Sequence, residues 1–539
     1  MGVCCVSDHH LRVPKLGQPI ENSDISACTR LESIRKYYEF VKIIGYGQFG
    51  TVREAVKIIK NNNRSIFDRS EMLKGKHYAI KSISKEKIKK GLWMLKRELE
   101  ILQLVDHPNI VKLYEIFEDS KYIHMVMELC TGGDLLDYLI SKGTLLETEV
   151  AQIMKSLLGA VNHLHSLKIS HRDIKPENCL LVNSEPNAEI KLVDFGMSIK
   201  FGDDAMTTMV GTPYYLAPEV LKSKYGKECD VWSFGVLMYL LLSGKQPFKG
   251  LDINDLFRKI MIADYNFDDS VWQNISESAK DLIAKMFVLN PELRITISQA
   301  LKHEWLNSFS ADMSARINLE VFNSIKSFKT PSKLWREAMK VLVRNLSEDQ
   351  LGDLHAAFDE IDISKTGFVT PQDIVQAMKR NGYDVAADEF DLIIRGMSYL
   401  GKGKLNYTQF LIAAMDRRRF LDEESLWAIF QHFDIENKGR ITVKNLKYAL
   451  QKAGCFISDD DFNDIIEEFK LQVNEYMDFS QFKEIMTCFS EQITVNNTED
   501  DESAVFERPP AKRLSQRRLT IRRNSQVLEE MSGITHTQS

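Results

Sequence analysis

The spacing of apolar and polar positions changes along the chain and divides it into segments. From Tyr37 onward, apolar residues alternate with polar ones in the manner of β-strands, through Thr51–Val56 and again through His77–Ile83. After Lys121 a helical spacing takes over, with apolar residues recurring every three or four positions between Val150 and Leu164. The pattern predicts a small strand-rich lobe followed by a larger helical lobe.

Beyond Trp305 the pattern becomes a series of helices separated by short polar loops, which extends to about Phe489. Four of these loops are spaced by 36 residues and begin at Asp362, Ser398, Asp434 and Lys470. Each loop has an apolar residue at its eighth position, and these residues are Val369, Leu405, Ile441 and Met477. The equal spacing indicates that one unit has been duplicated.

The two ends of the chain lack steady periodicity. Residues 1–36 mix Pro, Ser, Asp and His, and we expect them to form a mobile arm. The C-terminal end begins with the acidic run Glu499–Glu502 and continues with seven basic residues, and no acidic one, between Arg508 and Arg523. Such charge blocks predict a disordered tail.

Composition narrows the class of protein. The 539 residues suggest several domains, and a net charge of -6 argues against a protein that coats nucleic acid, so no nucleic-acid partner is expected. The apolar run Val236–Leu242 is far shorter than the ~18 residues of a membrane span, which leaves only peripheral membrane contact. The eight cysteines show no C-x-x-C spacing and no apolar leader precedes them, so we expect reduced thiols in the cytoplasm.

Candidate chemistry begins with a glycine-rich loop at Gly45–Val52, which has the pattern G-x-G-x-x-G-x-V. Missing side chains let backbone N–H groups approach phosphate oxygens. A dinucleotide-binding turn would be followed by a helix, yet the residues after Gly50 alternate like a strand, as in a hairpin folded over a nucleotide.

Four further motifs follow this loop in a fixed order. Lys81 ends the strand-like run Tyr78–Lys81, and Glu98 follows 17 residues later in an amphipathic helix, so the two predict an ion pair that holds the ammonium against phosphates. The remaining motifs are His171–Asn178, Asp194-Phe195-Gly196 and Ala217-Pro218-Glu219. The probability that the glycine-rich loop and these four motifs occur in this order by chance is negligible.

With these motifs residues 38–306 resemble the eukaryotic protein kinases, which implies an α+β fold of two lobes. The resemblance implies that Asp173 accepts the substrate hydroxyl's proton, that Lys175 neutralises charge on the transferred group, and that Asn178 and Asp194 hold Mg²⁺. Lys175–Asn178 and Gly211–Tyr215 are similar to Ser/Thr-specific members. Met127 stands at the gatekeeper position, and the implied ATP contacts are Ile44, Gly45, Tyr46, Gly47, Gln48, Phe49, Gly50, Thr51, Val52, Lys81, Glu128, Cys130 and Asp134.

Two acidic residues bear on the choice of substrate. By the same resemblance, Asp134 and Glu177 line the groove that meets an arginine three residues before the phosphoacceptor, which favours R-x-x-S/T substrates. Alternatively, Asp134 caps a helix and meets the ribose of the nucleotide. Arg172 should face the activation segment, where Asp203 and Asp204 could substitute for a phosphate or Thr207 and Thr208 could receive one.

The repeat resembles four EF-hands, and a kinase followed by four EF-hands is similar to the calcium-dependent protein kinases of plants and protists. Only the first loop keeps oxygen at most ligand positions, which are Asp362, Ser364, Thr366, Phe368 and Asp373. Its twelfth residue is Asp instead of Glu, which favours Mg²⁺ over Ca²⁺, so Ca²⁺ binding should be weak and confined to this loop. Alternatively, the helices persist only as a packed scaffold.

The other three loops depart further from the EF-hand pattern. The second offers Ser398, Leu400, Lys402 and Gln409, and the third pairs Asp434 and Glu436 with Lys438 and Asn445. The fourth begins with Lys470, has Glu475 in place of glycine and ends with Gln481. None of the three is expected to bind Ca²⁺.

The junction between the two halves, Leu319–Leu346, is amphipathic and basic and resembles a calmodulin-target helix, so a calmodulin-like partner is a candidate. In the family this segment blocks the kinase cleft and is withdrawn by the calcium domain. The alternative is a plain helix that connects the two halves.

Both termini carry candidate modification sites. Gly2 with Cys4 and Cys5 suggests myristoylation and palmitoylation, hence association with a membrane, although Val6 replaces the usual Ser or Thr. In the tail, Ser515, Thr520 and Ser525 each follow a basic residue by three positions, and we expect autophosphorylation there.

Together the residues favour an ATP- and Mg²⁺-dependent Ser/Thr kinase with a degenerate, all-α EF-hand domain. The alternatives are a pseudokinase scaffold, against which the filled catalytic positions count, and a calcium sensor or buffer, against which the ligand-poor loops count. The expected division is an arm (1–36), a kinase domain (38–306), a junction (307–346), four EF-hands (347–489) and a tail (490–539).

Overall fold

A computed structural model of the chain describes residues 29–31, 33–47, 50–58, 76–88, 91–143, 145–202, 205–309, 319–326, 328, 333–346, 348–382, 403–415, 421–434, 436, 438–452, 462, 466 and 476–495. Residues 1–28 and 32 of the arm, the first five residues of repeat loop two (398–402), the first six of loop four (470–475) and residues 496–539 of the tail therefore lie outside the described residues. N-terminal acylation and tail phosphorylation stay predictions.

The N-terminal lobe is a six-stranded sheet in the order β1-β5-β6-β4-β3-β2. Its strands are β1 (Thr29–Arg30), β2 (Tyr38–Gly47), β3 (Gly50–Lys57), β4 (His77–Ser84), β5 (Leu113–Glu118) and β6 (Tyr122–Glu128). Neighbouring strands are antiparallel except β1 and β5, which are parallel. Helix α1 (Leu92–Leu104) connects β4 to β5 and buries Leu95, Leu99 and Leu102, as the pattern predicts.

The expected switch to helical structure after Lys121 is wrong for the next seven residues, which form β6. Positions 123–126 of this strand are all buried. A strand covered on both faces shows no alternation of apolar and polar residues, so the pattern does not reveal it.

The C-terminal lobe of the kinase domain is helical. Its helices are α2 (Leu135–Lys142), α3 (Glu147–Ser166), α4 (Pro218–Leu221), α5 (Glu228–Ser243), α6 (Ile253–Met261), α7 (Glu277–Met286), α8 (Ile297–Ala300) and α9 (Glu304–Ser308). Short 3₁₀ turns lie at Pro176–Asn178, Pro213–Tyr215 and Ser270–Asn274. Strands β7 (Ile169–Ser170), β8 (Cys179–Leu181), β9 (Ile190–Leu192) and β10 (Ile199–Lys200) form two small ladders beside the cleft, β7 with β10 and β8 with β9.

The repeat region is built from helices and two-residue strands. The helices are α10 (Leu319–Lys326), α11 (Lys333–Asn345), α12 (Glu348–Ile361), α13 (Pro371–Arg380), α14 (Tyr407–Ala414), α15 (Glu423–Phe433), α16 (Val443–Lys452) and α17 (Phe479–Val495). Strand β11 (Phe368–Val369) pairs with β12 (Leu405–Asn406), and β13 (Ile441–Thr442) pairs with β14 (Tyr476–Met477). The register places Val369 opposite Leu405 and Ile441 opposite Met477, so the eighth positions of the loops meet in pairs.

The junction predicted as one amphipathic helix over Leu319–Leu346 is two helices, α10 and α11. Pro331 lies between them in the sequence, and a proline disfavours helix at the residue before it and removes a helical hydrogen bond. Both helices pack against α14, and α11 also packs against α15. Trp335 and Met339 are buried in the core that α12 to α17 share.

Two further features of the described part of the chain bear on its class. None of its helices combines the length and the hydropathy that a membrane span requires. Among the described residues, Cys130, Cys179 and Cys229 are not joined in disulfides.

A buried ion pair joins the Ala217-Pro218-Glu219 motif to the helical lobe. The Arg294 guanidinium donates to both oxygens of Glu219, at 2.5 and 2.9 Å, and its side chain is fully buried. It also donates to the main-chain oxygens of Val288 and Glu228. These bonds compensate the buried charges of Arg294 and Glu219. The pair therefore holds the Ala217-Pro218-Glu219 motif against the segment that contains Arg294.

Replacing Arg294 by Met keeps the length of the side chain but leaves Glu219 buried without its partner. We expect the free energy of unfolding of the kinase domain to fall by about 3–5 kcal/mol. Thermal denaturation followed by tryptophan fluorescence measures the shift. The control Lys280→Met breaks the pair with Glu277, which is 89% exposed, and should cost less than about 1 kcal/mol. Equal losses in both variants would contradict the role given to Arg294.

Candidate active site

The first element of the site is an ion pair between the sheet and helix α1. Lys81 on β4 approaches Glu98 on α1, with Nζ 2.8 Å from Oε1. Burial disfavours the ammonium, but the carboxylates of Glu98 and Asp194 raise the pKa of Lys81 above its usual value. The lysine is therefore charged, and the predicted ion pair with Glu98 is present.

The glycine-rich segment forms the predicted hairpin. Strands β2 and β3 pair Gly45 with Val52, Tyr46 with Thr51 and Gly47 with Gly50. A Cβ atom on Gly50 would lie 1.9 Å from the main-chain oxygen of Ser82, so only glycine fits there. Ile44 and Tyr46 are exposed beside the turn, whereas Gln48 and Phe49 lie outside the described residues.

The segment expected to meet adenine follows β6. The Glu128 carboxylate lies 2.9 Å from Lys191 Nζ and accepts a hydrogen bond from the Lys112 N–H. This side chain is thereby turned toward neighbouring strands, and the Glu128 N–H donates to the Lys112 carbonyl at 2.9 Å. A main-chain contact of this segment with adenine stays what the resemblance implies. Cys130 is half-buried in the same connection.

The catalytic loop places three groups around the Asp173 carboxylate. Lys175 Nζ and Asn178 Nδ2 lie 2.8 and 3.0 Å from Oδ2, and Thr212 donates its hydroxyl to Oδ1 at 2.8 Å. Burial by itself raises the pKa of Asp173, but Lys175 and Thr212 lower it below the ordinary value of an aspartate. Asp173 is therefore an ionised acceptor with a fixed orientation.

Two residues of this centre, Thr212 and Asp230, are not among the site residues that the sequence predicts. Thr212 also accepts a hydrogen bond from Lys175 at 2.9 Å, so it links the activation segment to the catalytic loop. Asp230, fully buried on α5, accepts hydrogen bonds from the N–H groups of His171 and Arg172. A signal for Asp230 exists in the sequence, because this acidic residue stands between the apolar Cys229 and Val231 in a mostly apolar helix.

The residues predicted to hold Mg²⁺ present oxygen donors at the cleft. Asp194 is exposed, with a positive φ of 64°, while the adjacent Phe195 is buried and its ring lies 5.1 Å from His171. Asn178 uses its Nδ2 on Asp173, so its amide oxygen is the atom that can face a metal ion. A carboxylate and an amide oxygen match the preference of Mg²⁺, so the residues fit the ion.

Arg172 contacts the activation segment, as expected. Its Nε donates to the Met197 carbonyl at 2.7 Å and its Nη1 to the Tyr225 hydroxyl at 2.9 Å. Tyr225 in turn donates to the Thr208 carbonyl. Thr207 and Thr208 are exposed, whereas Asp203 and Asp204 lie outside the described residues, so both expectations for this segment stay open.

The two candidate substrate-binding carboxylates lie near one buried thiol. Burial raises the pKa of Cys179, and the charges of Glu177 and Asp134 raise it further. Glu177 is exposed in the turn Pro176–Asn178. Asp134 is half-buried and caps α2 by accepting the Asp137 N–H at 2.8 Å, so the helix-cap alternative for Asp134 is present in the structure.

In the first EF-hand loop both candidate carboxylates, Asp362 and Asp373, already accept hydrogen bonds from the chain itself. Asp362 is buried and its carboxylate accepts hydrogen bonds from Ser364 Oγ and the N–H groups of Thr366 and Gly367. Burial raises the pKa of Asp362 to about 6. Asp373 uses Oδ2 to accept the N–H and hydroxyl of Thr370 in a capping box.

A calcium site needs several carboxylates that converge on one point. Among the described residues no group of three His, Cys, Asp or Glu side chains could hold a metal ion. Phe368, which would offer its carbonyl, lies in β11. In the third loop, Lys438 pairs with Glu436 at 2.6 Å, so an ammonium stands beside one of that loop's carboxylates.

Comparisons with known proteins point to one family. Residues 38–306 match the family model described as protein kinase domain. The chain is 36% identical to Calcium-dependent protein kinase 2 of Zea mays over 80% of this chain and 82% of the relative. It is 36% identical to Calcium-dependent protein kinase 21 of Arabidopsis thaliana over 86% and 85%. It is also 36% identical to Calcium-dependent protein kinase 3 of Plasmodium berghei (strain Anka) over 76% and 75%.

Replacing Asp173 by Asn keeps its shape but removes the charge that accepts the substrate proton. We expect turnover on a peptide substrate to fall by about 10³-fold or more, while ATP affinity, measured by fluorescent nucleotide titration, changes less than about threefold. Asp268→Asn, at an exposed aspartate, is the matched control. Equal turnover of the Asp173 variant and the wild type would contradict the assignment.

Proposed function

This chain belongs to the calcium-dependent protein kinases, and we propose that it prefers R-x-x-S/T sequences and acts without direct control by calcium. Its activity is that of a Ser/Thr protein kinase that uses ATP and Mg²⁺. The observation that carries the function is the Asp173 carboxylate bonded to Lys175, Asn178 and Thr212. A pseudokinase scaffold would not need these bonds together with the Lys81–Glu98 pair.

The chemistry of the chain's own residues follows from this geometry. Asp173, ionised at neutral pH, accepts a hydrogen bond from the substrate hydroxyl and then its proton. Lys175 stabilises negative charge that develops nearby, and Thr212 fixes the orientation of both. When bound, ATP supplies the phosphoryl group and Mg²⁺ neutralises its charge; Lys81 would contact the phosphates, and Asn178 and Asp194 would hold the metal ion.

The preference for basic substrates is supported by Glu177. Its carboxylate is exposed one residue before Asn178, so it lies at the edge of the catalytic loop. A guanidinium that reaches this carboxylate forms a charge-assisted bond, which a neutral side chain cannot replace. Asp134, which spends one oxygen as a helix cap, would contribute less or would meet the ribose.

Glu177→Gln tests the substrate preference. We expect the wild type to favour an R-x-x-S peptide over the matching A-x-x-S peptide in kcat/KM by about 10- to 100-fold, and the variant to lose most of this ratio. Glu185→Gln, an exposed glutamate elsewhere, should leave the ratio unchanged. An unaltered ratio in Glu177→Gln would sink the proposed role.

Independence from calcium is supported by the repeat region and the junction. The first loop's two carboxylates are occupied by donors of the chain itself. Moving a two-state equilibrium nearly completely requires about 5 kcal/mol of differential binding, which one ligand-poor loop does not supply. The apolar side of α11, with Trp335 and Met339, is already buried against the repeat helices. This packing supports a junction that keeps the same arrangement with and without calcium.

A free-calcium series tests this independence. With no calmodulin present, we expect kinase activity to change less than about twofold between chelator and micromolar calcium, because no described loop has a carboxylate cage. Activation of tenfold or more would show that calcium controls the enzyme directly. A second series with added calmodulin separates direct control from a calmodulin-like partner at residues 319–346.

A further inference from the structure

The first repeat loop, Asp362–Asp373, lies against helix α3 of the kinase domain. Asn162 Nδ2 donates to the main-chain oxygens of Ser364 and Lys365, at 3.2 and 2.9 Å. The neighbouring His163 has its Nδ1 2.8 Å from the main-chain oxygen of Thr366. Three consecutive carbonyls of the loop are therefore bonded by two adjacent side chains of the kinase.

These two kinase side chains are buried, Asn162 to 8% exposure and His163 to 1%. Burial lowers the pKa of His163 to about 4, so the ring is neutral. Its Nε2 accepts from the Asp106 N–H at 3.4 Å, which leaves Nδ1 as the donor to the loop. A buried N–H group without an acceptor costs free energy. The carbonyls of the loop supply the acceptors that the buried side chains of Asn162 and His163 require.

The close approach depends on Gly367. Its φ is +74°, and a Cβ atom would lie 2.4 Å from His163 Nδ1. The next residue, Phe368, places its ring 5.1 Å from the His163 ring. The glycine at the sixth position therefore serves contact with α3 as well as the turn of the loop.

The loop closes on itself without a cation. Lys365, at the fourth position, lies 3.3 Å from the Asp359 carboxylate, and its charge also acts on Asp362. An ammonium beside the first ligand position repels a second cation. The three donors on Asp362 satisfy its carboxylate in the place of a metal ion.

Two contacts flank the loop and extend the same interface. Thr408 at the start of α14 donates its N–H and hydroxyl to the two oxygens of Asp106, both at 2.9 Å. His355 on α12 lies 2.5 Å from Glu189, which also pairs with Lys191. Burial disfavours a charged His355, but Asp359 and Glu189 raise its pKa to about 9, so this bridge is ionic at neutral pH.

We infer that the loop Asp362–Asp373 is a protein-docking loop, which binds Asn162 and His163 of the kinase domain and holds the repeat region in place without a metal ion. Its partner is α3 of the same chain, and its ligands are neutral N–H donors instead of a cation. The inference extends the proposed calcium independence from activity to structure.

Hydrogen exchange of the full-length chain, read by mass spectrometry, tests the docking in chelator and in millimolar calcium. We expect peptides that cover 362–370 and 105–111 to be protected equally in both conditions. Asn162→Leu, on the kinase side, should raise exchange of the loop peptide roughly tenfold, since it removes two hydrogen bonds. Gly367→Ala, on the loop side, should raise exchange of the 105–111 peptide.

The reciprocal design separates docking from local destabilisation, because each variant is read in the other half of the chain. Asn274→Leu, at an exposed asparagine, is the matched control and should change neither peptide. Thr408→Val provides a second variant if Asn162→Leu does not fold, and should expose the 105–111 peptide. Exchange that neither variant changes, or a loop protected only in calcium, would overturn the inference.

A failure of the docking inference can be distinguished from a failure of the proposed calcium-independent activity. Activation by calcium with unchanged protection of both peptides would contradict calcium-independent activity while supporting the docking loop. Calcium-insensitive activity with a loop that is unprotected in chelator would contradict the docking loop alone.

Discussion

One fully buried carboxylate, that of Asp230, holds the catalytic loop in position. It accepts hydrogen bonds from the N–H groups of His171 and Arg172, from the Ser170 hydroxyl and from His165. A buried charge is stable only when its bonds are satisfied, so these donors fix the backbone at the start of the loop. That constraint supports the positive φ of Arg172, 69°, and brings Asp173 to the cleft.

The charged groups of the catalytic centre also have their hydrogen bonds satisfied. Asp173 is satisfied by Lys175 and Asn178 of its own loop and by Thr212 of the activation segment, and Glu98 on α1 is satisfied by Lys81 on β4. Because these segments come from both lobes, the centre exists only when the sheet, α1 and the catalytic loop are packed together. In this structure the three are packed together.

The repeat region satisfies its buried carboxylates by a different route. In a calcium-binding EF-hand a cation compensates the charge at the first ligand position. Here main-chain N–H groups and Ser364 compensate Asp362, and Thr370 compensates Asp373. The fold therefore keeps the paired strands β11 and β12 while its loop turns its carbonyls toward the kinase domain.

Local patterns in the sequence determined the two lobes, the order of the catalytic motifs, the Lys81–Glu98 pair and the phase of the four repeats, because each depends on nearby residues or on a fixed spacing. The sequence did not reveal β6, the division of the junction into α10 and α11, or the roles of Thr212 and Asp230. Burial on both faces hides a strand's alternation, and Thr212 acquires its role only when the activation segment folds onto the catalytic loop. The contact of Asn162 and His163 with the first repeat loop joins residues about 200 positions apart. Only the tertiary structure decides such a contact, because the free energy of a buried hydrogen bond depends on both partners being removed from water together.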